Sequence, residues 1–205
     1  MKMIDPTRRP LLAPLRTCVA TSALLTAMHA PLAAELVLAA DAKVQGKSQS
    51  EWSRLWWQWA LSCERDESPV ADLTGERCHL KQDHGSVWFL AGTYGTQRTV
   101  RTCTVPKDRY LFFPLINYVV MPPAERKVSC EAVMASARQM IDGPQALVLD
   151  IDGRRVEKLE THRLATVDCF NVLAQRQAAP SAYPSAANGY YVMLKPLPVG
   201  RHVLN

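Results

Sequence analysis

Apolar and polar positions change their period twice along this chain. In residues 48–63, Trp52, Leu55, Trp56, Trp59, Ala60 and Cys63 recur at three-and-four spacing among Ser, Gln, Glu and Arg. That spacing predicts an amphipathic helix with Ser48 or Ser50 as its N-cap, and leaves Trp57 off the apolar stripe. A polar connection follows over residues 64–85, with Pro69 and Gly75 in it. The period then shortens. Residues 87–93 form a compact apolar run, residues 99–105 alternate, and residues 109–120 are rich in aromatic and branched side chains interrupted by Pro114. These predict three or four strands parted by Gly95, by Pro106-Lys107-Asp108 and by Asn117.

Pro122-Pro123 ends the series. A second helix is predicted within residues 124–141, because Val133, Met134, Ala137, Met140 and Ile141 share one face and Gly143-Pro144 stops it. Residues 146–151 and 154–156 flank Asp152-Gly153, a pair suited to the left-handed positions of a hairpin turn. Residues 175–188, rich in Ala, Pro, Ser and Gln, read as a long exposed loop, and residues 190–194 and 201–204 as the last strands. The final one is either a short edge or a strand whose continuation has been lost. Many short strands, two helices and no strand–helix alternation predict a mainly β chain: a single-domain β-sandwich, jelly-roll or Ig-like, with two accessory helices.

The start of the chain changes the picture. Lys2, Arg8, Arg9 and Arg16 precede a mostly apolar or small run over residues 17–34, and Ala40-Asp41-Ala42 follows. This is the layout of a cleavable export signal, cut after Ala34 or after Ala42; small residues at both positions read by the peptidase favour Ala42. Residues 1–42 are thus the expected leader and residues 43–205 the mature domain. Arg8-Arg9-Pro10 also fits a twin-arginine signal, but adjacent arginines are common in basic leaders, so the Sec route is preferred. The apolar run is shorter than the roughly 20 residues of a membrane span. The expected destination is the periplasm or the exterior, with no stable membrane span after cleavage.

The mature 163 residues carry 20 Lys and Arg against 16 Asp and Glu, scattered along the chain, which argues against a nucleic-acid partner. Five cysteines remain: Cys63, Cys78, Cys103, Cys130 and Cys169. Export favours disulfides, Cys78–Cys103 first, at roughly 3 to 4 kcal/mol on the chain-entropy view. Cys130–Cys169 is the second choice, and an odd cysteine remains for a free thiol or self-association. No Cys-x-x-Cys or His-x-His pattern calls for a metal, and no cofactor is implied.

Three tracts carry a resemblance: Val87-Trp88-Phe89-Leu90-Ala91-Gly92-Thr93, Arg101-Thr102-Cys103-Thr104-Val105-Pro106 and Leu111-Phe112-Phe113-Pro114-Leu115-Ile116-Asn117. With the Trp-rich helix and the Asp152-Gly153 hairpin, the chain resembles a family of uncharacterised exported bacterial proteins. The resemblance implies export and one domain, implies no catalytic residues, and implies a final strand that continues beyond Asn205.

Candidate chemistry is sparse. Trp52, Trp56, Trp57 and Trp59 could stack on sugar rings as an aromatic platform, or three of them could be the buried face of their helix; Trp57, off the stripe, discriminates. Asp83-His84 lacks a nucleophile motif, and Asp150 and Asp152 fit a turn better than an acid–base or calcium pair. Cys63, on the apolar stripe, reads as an inert thiol. Together these features point to a non-enzymatic binding domain for an envelope component, polysaccharide being the most economical ligand. A hydrolase whose His and Asp converge only in the fold is the first alternative, and an assembly subunit the second.

Overall fold

Two open sheets and two long helices organise the chain in the computed structural model, which describes residues 33–95, 98–143 and 146–205. The elements are α1 (Ala33–Leu36), α2 (Gln49–Ala60), β1 (Val87–Phe89), β2 (Tyr110–Val120), α3 (Cys130–Gln139), β3 (Asp150–Ile151) and β4 (Arg154–Arg155). A 3-10 turn at Leu159–His162 and strands β5 (Arg163–Ala165) and β6 (Ala186–Leu194) complete them. The basic start of the expected leader and its apolar run as far as residue 32 lie outside the described residues.

Helix α2 begins where its pattern predicts. Ser48 is the N-cap: its hydroxyl accepts from the Glu51 N–H, and the Glu51 carboxylate accepts in turn from the Ser48 N–H, a complete capping box. Helix α3 starts later than the periodicity suggested, because Ser129 provides its N-cap.

The larger sheet has the order β1-β2-β6-β5, with β1 parallel to β2 and the other pairs antiparallel. Its spine is the β2–β6 ladder, from Leu111 opposite Leu194 to Val120 opposite Ala186. Register slips between Pro114 and Ile116, so Leu115 is a bulge residue. The bulge accommodates Pro114, which has no N–H to give to a ladder. Neither Pro114 nor Asn117 therefore breaks the strand. A Cβ on Gly189, across from Asn117, would lie 2.6 Å from the Asn117 Cβ and 2.7 Å from the Ile116 carbonyl oxygen, which excludes any larger residue without a backbone shift.

Strand β6 starts at Ala186, inside the stretch expected to be loop. Ala-Ala-Asn-Gly has little intrinsic strand preference, but between β2 and β5, with α3 packed at Ala186, the whole strand is buried. Residues 99–105, expected to be a strand, belong to no sheet. The Asp152-Gly153 hairpin forms as predicted, with both residues at positive φ (52° and 76°). Its outer edge pairs with the chain's last residues through the Asp152 N–H on the Val203 carbonyl (2.9 Å) and the Asn205 N–H on the Asp150 carbonyl (3.0 Å).

The β-sandwich expectation thus holds only in part. The architecture is mixed α/β, with open sheets of four and two strands, and neither jelly-roll nor Ig-like closure is confirmed. A helix takes the place of a second sheet on one face. There Phe89, Phe112, Tyr191 and Met193 meet Trp52, Trp56 and Trp59 of α2. On the other face Trp88, Leu111, Phe113, Val192 and Leu194 meet Leu149, Ile151, Val156 and Leu159. Cys78 and Cys103, and Cys130 and Cys169, lie at disulfide distance with Cα atoms 5.7 Å apart in each pair, which fits an oxidising compartment. Cys63 has no disulfide partner among the described residues. No described helix is long and apolar enough to cross a membrane.

Candidate functional site

Strand β1 ends opposite Phe112, whereas β2 runs on to Val120. Beside that uncovered length lies a groove of about 1000 Å3, walled by residues 98–109 on one side and residues 197–205 on the other. Leu111, Phe113 and Leu149 give it a buried apolar lining, and Arg98, Lys107 and Arg109 bring cations to it. None of these three cations forms an ion pair among the described residues. Asp108 is the one acidic side chain in the lining.

The first wall has no ladder to hold it, and a set of local contacts does so instead. Arg101 donates to three main-chain carbonyls: Asp72, Ala91 (3.1 Å) and Val70 (3.0 Å). Burial pushes its guanidinium pKa down while the Asp72 charge opposes that. With its donors spent on carbonyls, Arg101 works as a clamp although it lines the groove. Asp72 in turn is buried, which disfavours its charge. The N–H groups of Arg77, Thr74 and Gly75 and the Thr74 hydroxyl outweigh burial and bring its pKa to about 2. Gly75 has φ +98°, and a Cβ there would sit 2.3 Å from the Thr102 carbonyl oxygen, so only glycine fits at this point of contact between the two segments. The Thr102 N–H on the Thr74 carbonyl (2.9 Å) and the Cys78–Cys103 link finish the attachment.

The second wall is held by a His–Asp pair. His202 Nδ1 lies 2.7 Å from the Asp152 carboxylate, and Nε2 lies 2.8 Å from the Pro198 carbonyl oxygen. Both neighbours only accept hydrogen bonds, so only the imidazolium can satisfy both. The Asp152 bond accordingly raises the His202 pKa, and His202 with the Val203 N–H (2.8 Å) lowers that of Asp152. This is a convergence of the kind a hydrolase would need. The far nitrogen, however, is engaged by a carbonyl, not by a hydroxyl or thiol, so no nucleophile is activated.

No family model, curated protein or solved structure matches this chain.

The other predicted site residues are placed elsewhere. Trp52, Trp56 and Trp59 are 1%, 2% and 1% exposed, which removes them from any sugar-stacking platform. Each indole N–H is bound to a main-chain carbonyl, of Val44, Leu90 and Leu80 respectively. Trp57 is half-buried and donates to the Tyr191 hydroxyl (2.9 Å), which also accepts from Asn117. Complete burial pushes that phenol's pKa far up. Asp150 pairs with Arg155 (2.8 Å), away from Asp152's partners. His84 is enclosed against Phe89, its Nε2 without a hydrogen-bond partner. Among the described residues no cluster of three His, Cys, Asp or Glu side chains could hold a metal ion. The groove residues were missed by sequence reasoning; the unpaired cations of residues 98–109 were its one visible trace.

Proposed function

We propose that this chain is an exported, non-enzymatic binding domain whose ligand lies in the groove beside β2. One observation carries the reading: an apolar trough of about 1000 Å3 with Arg98, Lys107 and Arg109 along it and, among the described residues, no ion pair for any of them. Such a trough suits an elongated ligand with apolar and anionic groups. The leader-like start, the resemblance to exported bacterial proteins and the paired cysteines support export. A polysaccharide ligand, on this reading, meets the groove and not the tryptophans. The open length of β2 also favours a second reading, an assembly subunit that accepts a neighbour's strand. Sedimentation of the oxidised protein over a concentration series separates the two, since assembly requires self-association.

The test is a residue-resolved NMR titration of the oxidised protein with peptidoglycan fragments, anionic polysaccharides and Glu-containing extended peptides. The expected result is shifts confined to residues 98–115 and 197–205, with binding weakened at least about tenfold by Arg109→Glu. Shifts centred on α2, or none with any ligand, overturn it.

A further inference from the structure

We infer that the export peptidase cuts between Ala34 and Glu35, so that the mature chain keeps residues 36–39 as part of its sheet. The inference rests on the export part of the proposed function but is independent of what the groove binds.

Strand β5 covers only the Tyr190 end of β6, opposite residues 188–190. The rest of that edge would be bare, and the segment after Glu35 fills it. The Lys195 N–H donates to the Leu36 carbonyl (2.8 Å), Val37 is bridged to Leu194, and the Leu38 N–H donates to the Met193 carbonyl (2.9 Å). The side chains divide between the two faces: Leu36 and Val37 join the cluster of Leu111 and Leu194, Leu38 and Ala40 the cluster of the tryptophans. Gln49, fully buried at the start of α2, donates its side-chain amide to the Ala39 carbonyl.

A cut after Ala42 would remove all of this. It would expose the main chain of a strand whose residues 191–194 are wholly buried, the kind of bare edge that recruits other chains. It would also leave the Gln49 amide buried without its acceptor, next to an Oε1 that already has none. Ala40 and Ala42 suit the peptidase by size better than Leu32 and Ala34 do, but a cut after Ala34 keeps residues 36–39 on the sheet edge and removes only the first two residues of α1.

The experiment uses the full precursor with a C-terminal tag, expressed in a bacterium, with the periplasmic product read by intact mass. A product beginning at Glu35 is expected, and Ala34→Arg should abolish it while Ala42→Arg leaves it unchanged. A product beginning at Lys43 overturns the inference and leaves export standing. Uncleaved chain confined to the cytoplasm overturns both. In parallel, leaderless chains starting at Glu35 and at Lys43 are refolded under oxidising conditions. The Lys43 chain should melt about 10 °C lower or aggregate, and equal melting would remove the structural basis of the inference.

Discussion

The two faces of the larger sheet are built from the same strands and finished in opposite ways. Phe112 points to one face and its neighbours Leu111 and Phe113 to the other. On the first face, one helix closes everything. Four indole N–H groups from α2 each find an acceptor, three of them main-chain carbonyls on separate segments, so the helix both covers the sheet and fixes the chain around it. On the second face, Trp88 keeps a buried indole N–H without a partner, and short segments held by single side chains leave the groove between them. A chain with four tryptophans on one helix invites the view that its aromatic residues meet the ligand. Here they pack against the sheet on one face, and the groove, where the proposed reading puts the ligand, lies on the other.

The contrast is broken most strongly from the closed side. Trp59→Ala should cost about 3–5 kcal/mol in denaturant unfolding, because it opens a cavity against Phe89 and frees the Leu80 carbonyl. Trp59→Phe, which loses only the indole bond and some volume, should cost less. Next comes Cys103→Ser, expected to cost about 2–4 kcal/mol. Its signature sharpens the comparison: amide exchange should accelerate in residues 98–106 and remain slow in α2. Uniform acceleration would mean that the two faces are not separately held.

Acid should act through buried imidazoles and base through the His202 latch; His162, on the 3-10 turn, also has its pKa lowered by burial, against the Glu160 charge, and adds to the acid slope. His84, beside Phe89 on the closed face, has its pKa lowered by burial despite the Asp83 charge. The unfolded chain therefore takes up a proton that the folded one resists, and stability falls as pH drops below 6.5. His202 at the groove has its pKa raised by Asp152, so its contribution is complete below 6.5 and is lost as pH rises through the raised value. Melting curves between about pH 5 and pH 8 should show a shallower acid slope for His84→Gln and a shallower alkaline slope for His202→Gln. The smallest effect on stability belongs to the groove cations. Lys107→Glu and Arg109→Glu should stay within about 0.5 kcal/mol of the parent while impairing binding, a separation that no α2 variant should reproduce.

What was legible in the sequence was local. The period of the tryptophans, the Ser48 cap and the Asp152-Gly153 turn depend on neighbours a few residues away, and each appears where expected. Disulfide pairing, although long-range, was limited by having few cysteines to choose from. The start of β6 could not be read because Ala186 to Gly189 have weak strand preference and are placed by β2, β5 and α3. The sandwich expectation is not confirmed in its finer part for a related reason: strand-like alternation in residues 99–105 reports one buried side, and a wall of a groove satisfies that as well as a ladder does. The clamp of Arg101 and the latch of His202 join residues about 30 and 50 positions apart and leave no periodic trace.

The parallel pairing of β1 with β2 has a consequence for when the molecule becomes complete. Parallel neighbours require the chain to return along its own length, a task usually given to a helix. Here residues 90–109 make the return, and their described part contains no helix; Arg101 and the Cys78–Cys103 bond hold it in place. The covalent half of that attachment needs an oxidising environment. Under reducing conditions the return path keeps the Arg101 contacts and lacks its covalent tie, so a reduced sample of this protein is an unfinished one.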